Sequence, residues 1–274
     1  MILSLLIATA AVLASAADAS TTDASTTDAS TAAAECTHPP YRVYKVSSSP
    51  LILYLEGFLT PGEQTHLLNA TASRFRRSVV AGSDGAAQQS TIRTSQSTDL
   101  DHHADNVAAC IARRALDLQG FDARDAQLEP LQLVRYAAGE EYDVHTDWLA
   151  DGAYATAPNG GNRATSFFVY VHVAAGTTGG GTNFPLVVAP RDGRWCARGF
   201  VECDAPYASG LTFRPVAGNA VFWENLAGGG GEGDARTEHA GLPLTSGDKV
   251  GMNIWTRQLP LSQEARRRDV PLDF

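Results

Sequence analysis

From residue 128 onward the chain reads as mostly β, a series of short runs joined by turns, and this constrains its architecture more than any other feature. Strand patterns fall at residues 128–138, 165–173, 211–214, 219–223 and 249–258. In Ser166-Phe167-Phe168-Val169-Tyr170-Val171-His172-Val173, β-branched and aromatic residues dominate, and these pack well on a pleated surface. His172 within that run reads as an ordinary strand histidine. Gly- and Pro-rich turns separate the runs. Many short strands joined in this way fold as a sandwich or a jelly roll.

Less of the sequence before residue 128 is β. Residues 50–58 are strand-like. Thr60-Pro61-Gly62-Glu63 has the pattern of a capping box, with proline at the first helical position. A second helix is expected over residues 104–119. Val107, Ile111 and Ala115 share one of its faces, and Gly120 stops it. Both helices would cover one face of a sheet. Between them, residues 81–98 are polar and Gly-rich and include Arg93. They read as a surface loop, the kind of segment that often carries substrate contacts.

Within the β-region, residues 131–147 end in His145-Thr146-Asp147. Residues two apart on a strand point to the same face, so this His and Asp can close on one ion. A third ligand from elsewhere would complete a two-His, one-carboxylate set, the arrangement of non-haem Fe(II) oxygenases. The triplet alone is weak evidence: with seven histidines, about one such triplet is expected by chance. His103-Ala104-Asp105 has the same spacing. It lies at the start of the second helix, where residues two apart do not face each other, and fits better as a polar first turn. For the third ligand, His38 lies near a linker, and His66, His102 and His103 lie in or near helices. His239 stands just before the last strong strand. Lys249, ten residues on, opens that strand, and on pattern alone it either reaches solvent or pairs with an anion.

The 274 residues allow one large domain or two small ones. A net charge of −9 argues against a nucleic-acid partner, and the basic runs at 74–77 and 266–268 are too short to change that. Residues 1–16, MILSLLIATAAVLASA, read as a signal peptide ending in an A-x-A-like site, although no Lys or Arg precedes the apolar core. The alternative is an uncleaved anchor; no other stretch is long and apolar enough to span a bilayer. Residues 17–35 repeat D-A-S-T-T and have almost nothing to bury, so they read as a linker. The folded domain is expected over 36–274. Location in the secretory pathway, in the ER lumen or outside the cell follows from the leader; an uncleaved anchor would hold the chain on the ER membrane. Four cysteines behind such a leader suggest two disulfides. Cys196 and Cys203 flank a short loop and are expected to pair, which leaves Cys36 with Cys110; a buried thiol at Cys110 is the alternative.

Taken together, the motifs resemble the prolyl 4-hydroxylase family of 2-oxoglutarate- and Fe(II)-dependent dioxygenases. The matching pieces are Gln132 to Asp147 (QLVRYAAGEEYDVHTD), Asn162-Arg163-Ala164-Thr165, Gly180-Gly181-Thr182-Asn183-Phe184-Pro185, Pro215 to Asn225 (PVAGNAVFWEN), and His239 with Lys249 ten residues later. The resemblance covers roughly residues 51–259.

The resemblance implies a double-stranded β-helix, a jelly roll, supported by N-terminal helices. It implies that His145, Asp147 and His239 hold iron and that Lys249 pairs with the far carboxylate of 2-oxoglutarate. Tyr136 and Thr182 match positions that hydrogen-bond this cosubstrate. Arg93 and Arg163 match positions near the substrate, and Tyr142 and Trp148 are available beside them. Trp223 matches a wall position, where packing alone is equally consistent. The implied reaction consumes O2 and 2-oxoglutarate, releases succinate and CO2, and hydroxylates a proline-containing protein or peptide. A lysyl residue, a free amino acid or a small metabolite is the alternative substrate, and a need for ascorbate is left open. Two segments depart from the family pattern, 186–210 with its cysteine pair and the Gly-rich run 227–234. Both precede His239 and place it unusually far from Asp147 in sequence.

Overall fold

The structure, a computed structural model, describes residues 36–266 except 82–86, 89–90, 121, 153, 191, 205–208 and 230. The leader and the repetitive segment lie outside the described residues. In chain order the strands are β1 (Arg42–Ser48), β2 (Leu51–Glu56), β3 (Arg76–Arg77), β4 (Val80–Ala81), β5 (Ala87–Gln88), β6 (Gln96–Leu100), β7 (Leu131–Ala137) and β8 (Tyr142–His145). They continue with β9 (Arg163–Val173), β10 (Thr178–Gly179), β11 (Thr182–Phe184), β12 (Leu211–Phe213), β13 (Ala220–Glu224), β14 (His239–Gly241), β15 (Leu244–Ser246) and β16 (Asp248–Arg257). The helices are α1 (Pro61–Thr71), α2 (Asn106–Gln119), α3 (Gly193–Ala197) and α4 (Gln263–Arg266).

Eight strands form the main sheet in the order β1-β2-β13-β9-β16-β7-β6-β3, and four form a second, β12-β11-β14-β8. Every pairing in both is antiparallel. These sheets are the walls of the jelly roll that the strand pattern predicts.

Strand alternation decides which side chains go where. On one face of the main sheet, Leu55, Phe167, Val169, Val171, Phe222, Met252 and Ile254 pack against Leu67 of α1 and Ala108, Ile111 and Ala115 of α2. Their immediate neighbours Tyr54, Phe168, Tyr170, Val221 and Trp223 point the other way, onto Phe184, Leu211 and Phe213 of the second sheet. The helices therefore seal one face, and the second sheet closes over the other.

Local chemistry sets the helix ends. The capping box is present: Thr60 Oγ1 accepts from the Glu63 N–H at 3.2 Å, and Glu63 Oε2 accepts from the Thr60 N–H at 2.8 Å. Helix α2 starts at Asn106, two residues later than expected, because Asp105 is its N-cap and accepts from the Ala108 N–H. It ends at Gly120, whose φ of 86° suits glycine. The two disulfides join Cys36 to Cys110 and Cys196 to Cys203.

One expectation needs correction. The span 81–98 is not wholly a surface loop: its end enters strand β6, which pairs with β7, and Arg93 and Ser95 are buried. Polar side chains are tolerated there because they are partnered, Ser95 Oγ with Ser78 Oγ at 3.0 Å and Arg93 with Gln132 at 2.9 Å. The inserted segment 186–210 is built into the core. Val187, Phe200 and Val201 are buried in it, and Phe200 stacks on Tyr54 at 4.4 Å.

Candidate active site

Strands β8 and β14 are neighbours, and their register sets His239 directly opposite His145. The ring centroids are 4.3 Å apart. Each imidazole is oriented by its own backbone: Nδ1 of His145 lies 2.7 Å from the Asp143 carbonyl, and Nδ1 of His239 lies 3.0 Å from the Thr237 carbonyl. A carbonyl only accepts, so each Nδ1 carries the proton and each Nε2 keeps a lone pair. Both Nε2 atoms lie 3.9 Å from the same oxygen, Oδ1 of Asp147. The other oxygen, Oδ2, accepts a hydrogen bond from Trp255 Nε1 at 3.0 Å. Two lone-pair nitrogens and one free carboxylate oxygen thus converge on one point. This donor set suits Fe(II), which takes two imidazoles and one carboxylate and keeps positions open.

The electrostatics favour the metal-ready forms. Burial, reinforced by His239, pushes the His145 imidazole well below its usual range, so it stays neutral. Burial alone would raise the Asp147 carboxyl, but its neighbours, Arg163 among them, outweigh it and lower the carboxyl.

Aromatic rings brace the ligands. Tyr142 stacks on His145 at 3.6 Å, and the Arg93 guanidinium lies over Tyr142 at 4.7 Å. Phe184 stacks on His239, and Trp223 meets it edge-on at 4.7 Å.

Asp147 lies in a bend beyond the end of β8, so strand alternation does not place it. Trp255 of β16 does. The indole is itself held by Arg163, whose guanidinium stacks over it at 3.6 Å. Arg163 is almost fully buried, and its fork engages Glu129 at 2.8 and 2.9 Å. Glu129 also accepts from Arg257 at 2.5 Å. Arg163, expected beside the substrate, lies over Trp255 as part of a buried ion network.

Lys249, Tyr136 and Thr182 line the adjoining region. Lys249 and Tyr136 face each other across β16 and β7, with Nζ 4.6 Å from the Tyr136 ring centre. Lys249 is 1% exposed, so the solvent-reaching alternative does not hold. Its ammonium donates to the Gly180 carbonyl, and among the described residues no carboxylate lies within ion-pair distance. Burial pushes its pKa down to about 7. A buried cation without an anion is costly, and a ligand carboxylate is what such a site lacks. Thr182 Oγ1 lies 2.8 Å from the Tyr170 hydroxyl. Gly180, at φ +71°, lets the backbone pass Leu244 and Lys249: a Cβ there would lie 2.2 Å from Leu244 Cδ1.

Trp148 is half-buried, and its Nε1 donates to the Asp234 carbonyl at 3.3 Å. The Gly-rich segment passes over its indole, where a Cβ on Gly233 would lie 2.0 Å from the ring. At the competing triplet, Asp105 is taken up by its capping role and by His66 Nε2 at 2.7 Å. His103 precedes the helix, in a turn, and pairs with Asp125 instead. Sequence reasoning missed Trp255 and Tyr170. Trp255 had a usable signal, since it lies six residues from Lys249 on one strand and so shares its face.

A jelly roll whose walls bring two imidazoles and a carboxylate together has the make-up of a mononuclear non-haem metal enzyme. Residues 131–257 match the 2OG-Fe(II) oxygenase superfamily. Prolyl 4-hydroxylase 2 of Arabidopsis thaliana is 31% identical over 226 residues, covering 79% of this chain and 70% of that protein. Prolyl 4-hydroxylase subunit alpha-1 of Mus musculus is 30% identical over 222 residues, covering 80% of this chain and 36% of that subunit. The fold is shared with the viral collagen prolyl hydroxylase of Paramecium bursaria Chlorella virus-1 in its 2OG complex, at a TM-score of 0.54 and 22% identity, over 76% of this chain and 96% of that one. The chain belongs to the 2-oxoglutarate- and Fe(II)-dependent oxygenases and is prolyl 4-hydroxylase-like. Membership implies Fe(II) as cofactor and 2-oxoglutarate and O2 as cosubstrates.

Proposed function

We propose that this enzyme hydroxylates prolyl residues of a protein or peptide in the secretory pathway. The observation that carries the reading is the pairing of the His145, Asp147 and His239 donors with a buried, anion-free Lys249 in one barrel. In this reading the three donors hold Fe(II), and Lys249 holds the far carboxylate of 2-oxoglutarate, with Tyr136 and Thr182 as further hydrogen-bond donors. When bound, iron with 2-oxoglutarate and O2 supplies the oxidation, releasing succinate and CO2. The protein's part is to orient. Asp143 and Thr237 set the imidazole tautomers, and Trp255 leaves Asp147 one free oxygen.

Prolyl specificity is supported by the relatives named above. Tyr142, with Arg93 on its ring, and Trp148 supply aromatic surface near the metal ligands, and a stiff proline-rich segment suits such a surface at little entropic cost. Location in the secretory pathway is supported by residues 1–16 and by two disulfides, which persist in oxidising compartments. Among the described residues no helix is long and apolar enough to cross a membrane.

The test is to incubate the purified enzyme with Fe(II), 2-oxoglutarate and proline-rich peptides, with and without ascorbate. Mass spectrometry should find an added oxygen on proline. Turnover with free amino acids, lysyl peptides or small metabolites but with no proline-containing peptide would replace the prolyl assignment.

A further inference from the structure

A second group of metal-ligating side chains lies apart from the oxygenase centre. His102 and His103 precede helix α2, and Asp125 opens the turn Asp125–Gln127 that follows it. One ligand atom from each lies within 4.8 Å of the others. They line a surface cavity of about 390 Å³ together with Asn106 and Arg113.

Two observations point to a ligand. First, His102 is only 4% exposed, and neither of its ring nitrogens makes a hydrogen bond among the described residues. A neutral imidazole always has a donor and an acceptor, and burying both unsatisfied is unfavourable. Second, the spacings suit a shared ion. His102 Nε2 lies 3.3 Å from Asp125 Oδ1, and His103 Nε2 lies 3.6 Å from Asp125 Oδ2. In a tetrahedron with metal–ligand lengths of about 2.0–2.2 Å neighbouring ligand atoms lie roughly 3.3–3.6 Å apart, so one imidazole has to shift toward the carboxylate oxygen that the other approaches. Arg266 Nη1 lies 3.2 Å from His103 Nε2; an arginine only donates, so it holds the lone pair of this nitrogen.

We propose that His102, His103 and Asp125 form a second metal site, for a borderline divalent cation of the Zn2+ type. Two imidazoles and a carboxylate provide three ligands, and water completes the tetrahedron. The site is a structural clip. It joins the chain entering α2 to the turn leaving it, whose Gln127 side chain donates to the carbonyls of Arg257, the last residue of β16, and Gln258. Arg266 and Arg113 are the opposing charges, and Asp101 is the nearby acid. Arg266 must swing aside when the ion enters.

The test uses the full chain with any affinity tag removed, stripped with chelator and dialysed against Zn2+. Metal analysis should find two equivalents in the wild type, one of them in the oxygenase centre. His103→Ala/Asp125→Asn, at two exposed positions outside the core, should retain one. Its affinity at the second site should fall by more than the roughly 10–100-fold typical of losing an outer partner of a metal ligand. Arg266→Gln should bind the second ion more tightly. Zn2+ should also raise the melting temperature of the wild type more than that of the double variant. One equivalent in the wild type, or two in both proteins, overturns the proposal.

Discussion

Replacing Lys249 with methionine, Lys249→Met, removes the charge and keeps most of the volume. The structure supplies the magnitude. Lys249 is almost fully buried, and without an anion its pKa falls from 10.5 to about 7. At roughly 1.4 kcal/mol per unit, burying the charged form costs on the order of 5 kcal/mol. That cost is present in full below about pH 7 and fades as pH rises toward the unfolded value, because the unfolded chain binds the extra proton between the two. A bound carboxylate offsets it. Losing one partner of a buried pair costs about 3–5 kcal/mol, so Lys249→Met should weaken 2-oxoglutarate binding about a hundred- to a few-thousand-fold. Iron binding should change little. Lys249→Arg should recover part of the affinity, since its fork is longer and differently shaped. The wild type should also lose affinity about tenfold per pH unit above pH 7, as the ammonium deprotonates, and bind with proton uptake. Calorimetric titration in buffers of different ionisation enthalpy reads both effects. A weakening of less than about fivefold, the range of an exposed pair, would refute the role given to Lys249.

Two further outcomes follow from the supports around the site. Trp255→Phe removes the hydrogen bond to Asp147 Oδ2 and should weaken Fe(II) binding about 10–100-fold, read by metal titration, while 2-oxoglutarate affinity with saturating iron stays within a few-fold. Opening the Cys196–Cys203 bridge as Cys196→Ser/Cys203→Ser releases a short closed loop, a loss of about 2–3 kcal/mol in the chain-entropy picture, and should lower the melting temperature by several degrees.

The main architecture was legible because alternation in long apolar strands carries it. Tyr170 and Val171 go to opposite cores for no reason beyond strand parity. The same parity puts Lys249 and Trp255 on one face of β16. Short polar strands were not legible. Strand β6 is almost devoid of apolar residues and is held by backbone pairing to β7, which a hydrophobic pattern does not register. His145 and Asp147 do meet, but strand spacing explains only the first of them. Arg163 looked like a substrate contact because a charged side chain in a motif suggests an open site. Its actual partner, Glu129, lies 34 residues away and carries no motif of its own. The pairing of His103 with Asp125 was hidden similarly, since only the chain's return after α2 brings the carboxylate back.

The support for Asp147 has a consequence for how the enzyme tolerates change. The two imidazoles are oriented by carbonyls two residues away in their own segments, so any side chain at Asp143 or Thr237 preserves those bonds. The carboxylate has no such local insurance. Its placement is directed by a relay of side chains from three separate segments: Trp255 on Asp147, Arg163 on Trp255, and Glu129 between Arg163 and Arg257. Glu129 is buried; burial alone would raise its carboxyl, but Arg163 and Arg257 outweigh this and hold it ionised. Removing Glu129 would leave two buried guanidinium groups competing for space behind Trp255, and breaking a buried pair in this way is strongly unfavourable. The metal centre is therefore least robust at its carboxylate, and the most sensitive position outside the ligands is Glu129, which touches none of them.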